Sequence, residues 1–220
     1  MNVRVGFGYD IHRVAKGRPL VLGGVKFESD WGLDGHSDAD VLLHAIGDAL
    51  LGAAGLGDLG THFPPGEPRW KDAASLDLLA HIRGMLEGKS ARVVNIDAMV
   101  VAEAPKLAPH RAAMCTNIAT ALGITADRVS VKATTNEQLG ALGRAEGLAA
   151  MAMARFRFRQ RCRKRKRAIG PLIRESLRAR SPAPVAGRTG SSRPWPRGGR
   201  PAMMRSLTSP STPSPRAHRP

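Results

Sequence analysis

The sequence predicts an α+β fold in which a mixed β-sheet is covered by helices on one face. Short segments rich in β-branched and apolar residues alternate with longer segments whose apolar residues recur at helical spacing. Elements that alternate in this way favour one sheet with helices packed against it. The composition changes abruptly after residue 154, so this fold is expected to occupy residues 1–157 of the 220-residue chain.

The N-terminal half of this domain begins with a glycine-containing strand at residues 3–9, at whose end Asp10 and His12 follow. The stretch PLVLGGVKF at 19–27 predicts a hairpin around two glycines. A polar turn then leads into the first helix, for which Ser37 and Asp38 are candidate N-caps. That helix is predicted from the helical spacing of Val41, Leu42, Ile46, Ala49 and Leu50.

The C-terminal half starts with the Gly/Pro-rich segment at 55–68, which is too long for a simple connection and is a candidate binding loop. A second helix is expected at 73–86. A third opens at Pro105 and runs to Leu122, with Gly123 as its stop. The other predicted elements are strands at 92–102 and 129–133, followed by a strand or short helix at 148–154.

The positive charge of the chain lies in its last third. Residues 155–220 hold 19 of the 34 basic residues and one of the 18 acidic residues, so the first part is mildly acidic. Residues 158–220, rich in Arg, Pro and Ser, have little apolar surface to bury and are predicted to form a disordered tail. Three interpretations compete: a natural extension that touches nucleic acid or anionic surfaces, an appendage without a role, and out-of-frame translation of a GC-rich gene. Nucleic-acid binding is not expected to be the main function, because the first part does not interleave aromatic and basic residues.

Several protein classes are excluded by composition. Two cysteines cannot form a disulfide framework, and Cys115 is expected to be a small core residue of a helix. Polar residues interrupt the N-terminus before an apolar signal region can form. The longest apolar stretch, residues 41–56, contains His44 and Asp48 and is too short to span a bilayer. We therefore expect a cytoplasmic protein that does not contact the membrane.

Asp10, His12 and His44 form a candidate metal site. Residues i and i+2 of an extended segment point to the same side, so Asp10 and His12 can aim at one point. A third ligand from the first helix would leave one position open, as catalytic Zn²⁺ requires. The same donor set suits Fe(II) oxygenases, and an ordinary solvated Asp-His pair is a further interpretation.

Further polar residues allow both a structural and a functional interpretation. Asp40 and Asp48 share a helical face with His44, so either carboxylate is a candidate partner for its second ring nitrogen. Thr134-x-x-Glu137 is either a helix capping box or a phosphate and metal site. Lys106 follows a proline that suits a helix start, and a helix start with a lysine also suits phosphate.

These residues lie in motifs that resemble the 2-C-methyl-D-erythritol 2,4-cyclodiphosphate synthase family. The resemblance spans residues 1–154 and rests on motifs in family order: GFGYDIH at 6–12, GHSDADVLLHA at 35–45, GDLGTHFP at 57–64, APK at 104–106, VKATTNEQLG at 131–140 and GRAEG at 143–147. It implies a lyase of non-mevalonate isoprenoid synthesis that converts 4-diphosphocytidyl-2-C-methyl-D-erythritol 2-phosphate into the cyclic diphosphate and releases CMP. It also implies a homotrimer with active sites between subunits.

The resemblance assigns roles to residues. Asp10, His12 and His44 match the ligands of Zn²⁺ or another divalent cation, and Glu137 matches a residue that holds Mg²⁺ or Mn²⁺ on the diphosphate. All but His44 are also expected to contact the substrate.

Other matching positions concern catalysis and substrate binding. His36 and Thr135 match positions that steady the transition state and touch the substrate. The remaining matches to substrate contacts are Ser37, Asp58, Gly60, Phe63, Ala102, Lys106, Ala108, Thr134 and Arg144. Ala141 departs from the aromatic residue that many members carry, which affects the isoprenoid cavity near Arg144 and not the catalytic site.

Overall fold

The computed structural model describes residues 3–158. Apart from Phe158, the predicted tail and its contacts with nucleic acid lie outside the described residues. The strands are β1 (Val3–Lys16), β2 (Leu20–Leu22), β3 (Val25–Phe27), β4 (Trp31–Leu33), β5 (Ala91–Val101), β6 (Val129–Thr134) and β7 (Gly147–Phe158). The α-helices are α1 (Val41–Ala54), α2 (Leu59–His62), α3 (Ser75–Gly88), α4 (Arg111–Leu122) and α5 (Gly140–Gly143).

The strands confirm the predicted mixed sheet. Five of them pair in the order β4-β1-β7-β5-β6, with β5 and β6 parallel and the other neighbours antiparallel. β2 and β3 form a separate hairpin in which Leu22 lies opposite Val25, as predicted. Gly23 and Gly24 turn the chain with φ of 59° and 70°, a region that glycine enters at little cost.

Strand β1 continues well past its predicted end at Tyr9. It pairs with β7 as far as Arg13 and then with β4 from Val14 to Lys16. The two partner strands satisfy its backbone groups beyond the apolar run that marks the strand in the sequence. Asp10 and His12 therefore lie within a paired strand and not at its end, which fixes the direction of both side chains.

Helix α1 packs directly on β1 because two glycines leave room for it. A Cβ on Gly6 would lie 1.9 Å from the carbonyl oxygen of Ala49, and one on Gly8 would lie 2.1 Å from that of Ala45. Both distances are shorter than any real contact, so the helix and strand backbones touch at these positions. This close approach brings His44, one residue before Ala45, to the side of β1 that carries Asp10.

Two predicted helix starts are wrong. Helix α1 is capped by Asp40, whose carboxylate accepts from the backbone N–H of Leu43, and not by Ser37 or Asp38. Helix α4 begins at Arg111 after a single 3₁₀ turn at Ala108–His110, and not at Pro105. Lys106 is consequently not at a helix N-terminus. Gly123 ends α4 in the left-handed conformation, as predicted.

The last element is a strand, which settles the choice left open for residues 148–154. β7 runs to Phe158 and lies between β1 and β5, so it is the central strand of the sheet. Arginine and phenylalanine alternate at the end of this strand, where Phe156 is fully buried while Arg155 and Arg157 are exposed. The basic residues that open the last third of the chain thus begin inside the fold.

One face of the sheet is covered by helices and the other exposes apolar side chains. On β1 and β7 these side chains are 39–62% exposed: Val3, Val5, Phe7, Tyr9, Ile11, Met151 and Met153. We call this surface the open face. Within residues 3–158, no helix has the length and apolar character needed to cross a membrane.

Candidate metal centre

Asp10, His12 and His44 converge at one point, as the spacing predicts. The Oδ2 atom of Asp10 lies 2.8 Å from Nε2 of His12 and 3.0 Å from Nδ1 of His44. The two ring nitrogens are 3.1 Å apart. The three side chains can each offer one ligand atom to a common metal ion.

The triad is assembled by the strand and the helix that touch at the glycines. Asp10 and His12 alternate with exposed residues of β1 and so point to the helix-covered face. His44 lies in the first turn of α1, just after the Asp40 cap. The second oxygen of Asp10 accepts from the N–H of Ile11 at 2.8 Å, which leaves Oδ2 directed at the two imidazoles.

Hydrogen bonds on the outer ring nitrogens fix which nitrogen faces the metal. Nδ1 of His12 lies against the carbonyl oxygen of Asp34 and must donate to it, so Nε2 keeps its lone pair for a ligand. Nε2 of His44 lies 3.1 Å from the hydroxyls of both Ser37 and Ser75. Ser75 in turn donates to the carboxylate of Asp38. A chain of carboxylate, hydroxyl and imidazole therefore leads to the metal site.

This arrangement corrects the predicted partner of His44, because neither carboxylate on its helical face reaches it. Asp40 accepts from Gly24 and Leu43, and Asp48 accepts from the N–H of Leu59. The partners are Ser37, already a predicted site residue, and Ser75, the first residue of α3, which the sequence analysis missed. No local pattern joins positions 44 and 75, so only the packing of α3 beside α1 reveals the contact.

The electrostatics of the triad favour an ionised carboxylate. Burial by itself would raise the pKa of Asp10, but its hydrogen bonding with the imidazoles of His12 and His44 outweighs burial and holds that pKa well below its usual range. Burial would likewise lower the pKa of His12, but the hydrogen bonds to Asp10 and to the carbonyl of Asp34 raise it. A negative carboxylate beside two imidazoles is the donor set that a divalent cation needs.

The geometry fits a small divalent ion. Tetrahedral Zn²⁺ with bonds of about 2.0–2.1 Å separates its ligand atoms by about 3.4 Å. The three ligand atoms here are 2.8–3.1 Å apart, so a small outward shift of the side chains admits the ion. Three protein ligands beside a cavity leave a position for an exogenous ligand, which is the pattern of a catalytic site.

A cavity of about 760 Å³ opens beside the triad. Of the predicted site residues outside the triad, those that line it are His36, Ser37, Gly60 and Phe63. Asp58 does not line it but caps α2, accepting from the N–H of Thr61 at 2.9 Å. Cavity residues that the sequence analysis missed include Arg18, Trp70 and Lys71. Trp70 meets Phe63 edge to face at 4.9 Å, so the Gly/Pro-rich loop has an aromatic anchor.

The other predicted site residues lie elsewhere on the protomer. None of the following lines the cavity: Ala102, Lys106, Ala108, Thr134, Thr135, Glu137 and Arg144. Thr134 ends β6, three strands from β1, about 14 Å from Asp10 across the sheet. Val129 and Val131 are buried against the helices, so by alternation Thr134 points to the open face.

The segment around Glu137 does not form a capping box. The Thr135 hydroxyl donates to the Glu137 carboxylate at 3.1 Å, and no helix starts between Thr134 and Gly140. The loop is ordered instead by Glu103, which accepts from the N–H groups of Asn136 and Gln138 and which the sequence analysis also missed. Nε of Arg144 donates to Glu146 at 2.6 Å. The capping-box interpretation of Thr134 and Glu137 is therefore wrong, and a phosphate and metal site remains a prediction.

Comparison with known proteins agrees with this geometry. Residues 3–157 match the YgbB family. The chain is 61% identical over 148 residues to 2-C-methyl-D-erythritol 2,4-cyclodiphosphate synthase of Symbiobacterium thermophilum, which spans 67% of this chain and 94% of that protein. It is 61% identical over 150 residues to the same enzyme of Desulfosudis oleivorans, and this match covers 68% of this chain and 89% of that protein. Among solved structures, IspF of Plasmodium falciparum in complex with CDP is similar, with a TM-score of 0.62 and 34% sequence identity. The match covers 70% of this chain and 96% of that one.

Proposed function

The chain belongs to the YgbB family, and on that premise we propose the reaction that it performs with the residues described above. It is a 2-C-methyl-D-erythritol 2,4-cyclodiphosphate synthase, a lyase of non-mevalonate isoprenoid synthesis. The substrate is 4-diphosphocytidyl-2-C-methyl-D-erythritol 2-phosphate. An oxygen of the 2-phosphate attacks the β-phosphorus, the bond to the bridging oxygen breaks, and CMP leaves with that oxygen.

The observation that carries this function is the convergence of Asp10, His12 and His44 beside the cavity. When bound there, Zn²⁺ or another divalent cation supplies Lewis-acid stabilisation of the charge on the diphosphate. The protein orients His12 through the carbonyl of Asp34 and His44 through Ser37 and Ser75. The attack is intramolecular, so the remaining task of the chain is to hold the substrate folded back on itself.

The cavity residues suit the methylerythritol end of this substrate. His36 and Ser37 precede α1 and line the cavity, where they would face the phosphates and steady the transition state. Gly60 and Phe63, on the loop that Asp58 caps, would contact the carbon chain.

We assign the cytidine-diphosphate end to the segments that follow β5 and β6. In this proposal Glu137 holds Mg²⁺ or Mn²⁺ on the diphosphate, Thr135 steadies the transition state, and Thr134 contacts the nucleotide. Lys106, with Ala102 and Ala108, contributes to the same nucleotide subsite. Arg144 completes the proposed contacts. The CDP in a related solved structure supports a nucleotide ligand for this site.

In this proposal these two groups of residues come from different subunits. Asp10 points to the helix-covered face and Thr134 to the open face, so one protomer cannot bring them together. The open face exposes Phe7 and Tyr9 beside Met151 and Met153 in paired strands, which is typical of an interface between subunits. A homotrimer with active sites between subunits meets both requirements.

The test is CMP release from the substrate by the purified full chain with Zn²⁺ and Mg²⁺, with the cyclic product identified by mass. His12→Ala is expected to abolish turnover, because the variant loses a metal ligand, while Asp30→Asn on an exposed turn leaves it unchanged. Metal analysis of the same preparation separates Zn²⁺ from Fe(II), which the same donor set accepts. Full activity of His12→Ala would refute the assignment of the metal centre.

A further inference from the structure

We propose that Arg18 binds the 2-phosphate of the substrate, the group that attacks. The inference rests on the proposed function and adds a phosphate-binding residue to the cavity beside the triad. Arg18 lies between β1 and β2 and lines that cavity together with His36 and Ser37.

The guanidinium of Arg18 is held in place by the backbone of the segment that contains His36 and Ser37. Its Nη2 donates to the carbonyl oxygen of Ser37 at 2.9 Å. Its Nε is buried, and no acceptor lies within hydrogen-bond distance of it among residues 3–158. One bond to a carbonyl orients the group, and the guanidinium forms no other hydrogen bond or salt bridge with residues 3–158.

The charge of Arg18 has no carboxylate partner in the described part of the chain. The salt bridges found among residues 3–158 all involve cationic side chains other than Arg18. Of the four acids that share its cavity, Asp10 is engaged with the two histidines, Asp48 with the N–H of Leu59 and Glu67 with Arg69, while Asp72 forms no salt bridge with Arg18. A half-buried cation without a counter-ion is costly unless a ligand provides the negative charge.

The position of Arg18 favours the monoester over the diphosphate. The metal triad lies on β1 and α1 and is the natural seat of the diphosphate, whereas Arg18 is bonded to the segment at His36 and Ser37. Lys71 flanks the same segment, because the N–H of Asp72 donates to the carbonyl of His36 at 2.9 Å. A guanidinium matches the geometry of a phosphate monoester and can bind two of its oxygens at once.

Holding the 2-phosphate here would bring the attacking oxygen towards the metal-bound diphosphate. Arg18 transfers no proton in this step, because the attacking phosphate is already an anion. Its effect is to offset the repulsion between two phosphates as they approach, and to orient the nucleophile.

The test compares two ligands that differ only in the 2-phosphate. For the substrate, the measured quantity is kcat/KM. For 4-diphosphocytidyl-2-C-methyl-D-erythritol, which lacks the 2-phosphate, it is the Ki as a competitive inhibitor. Arg18→Met is expected to lower kcat/KM by about 10- to 100-fold, the range for a lost charge-assisted hydrogen bond. The Ki of the dephosphorylated ligand should stay within about twofold of the unaltered enzyme, and Arg18→Lys should be intermediate.

A structural role for Arg18 gives a different result. If the residue only supports the Ser37 carbonyl, both ligands lose affinity by the same factor and zinc content falls with them, and the proposal is overturned. Unchanged kinetics in Arg18→Met also overturns it. Lys26→Met, an exposed cation on β3 outside the cavity, is the matched control and should change neither constant. A cyclic product from the unaltered enzyme keeps these outcomes separate from a failure of the proposed function.

Discussion

Ser75 offers the sharpest test of how the protein tunes its metal site. This buried residue accepts from Nε2 of His44 and donates to Asp38, so Ser75→Ala removes a link from the chain of groups behind the ligand. The alanine fits the space of the serine. We therefore expect the fold to persist while His44 becomes a weaker and less well oriented ligand.

The structure sets the size of the effect. Loss of a supporting partner behind a metal ligand typically costs 10–100-fold in metal affinity. Ser37 lies at the same 3.1 Å from Nε2 of His44 and remains in the variant. The single change is therefore expected to weaken zinc binding by about tenfold, or about 1.4 kcal/mol. Ser37→Ala combined with Ser75→Ala should approach about 100-fold.

Zinc affinity can be measured by competition with a chromogenic chelator at constant pH, with circular dichroism to confirm folding. Ser29→Ala, on an exposed turn, is the control and should bind zinc like the parent. Parental affinity in the double variant would refute the chain of groups, because both hydroxyls near His44 would then be dispensable.

Other substitutions test the fold, the pH response and the assembly. Gly8→Ala should destabilise the protein by at least about 3 kcal/mol in urea unfolding, because its Cβ meets the backbone of α1, whereas Gly52→Ala on the open side of that helix should be neutral or stabilising. Burial raises the pKa of Asp40 from 3.8 to about 6, so the folded state retains a proton that the unfolded state loses. The stability of the parent relative to Asp40→Asn should therefore fall by about 2 kcal/mol as the pH rises from 4 to 7, and a constant difference would contradict the burial argument. Phe7→Glu places a charge on the open face and should reduce the sedimenting mass from that of the proposed trimer to that of a monomer, while Lys89→Glu outside that face should not; a trimeric Phe7→Glu would contradict the proposed interface.

Much of the site is encoded in local patterns, and this explains what the sequence predicts well. The i, i+2 spacing of Asp10 and His12 places both on one side of a strand, and their convergence follows from that geometry. The hairpin at Gly23-Gly24 is equally local, since two successive positive φ values need glycine. The motifs around Asp38 and Thr134 carry the family resemblance, which the comparisons confirm.

The errors concern contacts between distant segments. The sequence does not single out Asp40 as the cap of α1, because Ser37 and Asp38 are equally good capping residues and only burial beneath the hairpin distinguishes them. Ser75 and Arg18 act on residues 31 and 19 positions away, and no periodicity marks such pairs. The sequence predicts too short a strand β1, because the partners of this strand, and not its composition, extend it.

The division of the proposed site between two faces of one sheet has a genetic consequence. A chain with a defective Asp10 and a chain with a defective Glu137 would each be inactive alone, yet each carries the half that the other lacks. Random mixing of equal amounts in trimers would restore about a quarter of the interfaces. Two null alleles of this gene would then complement one another in a single cell, whereas two defects on the same face would not.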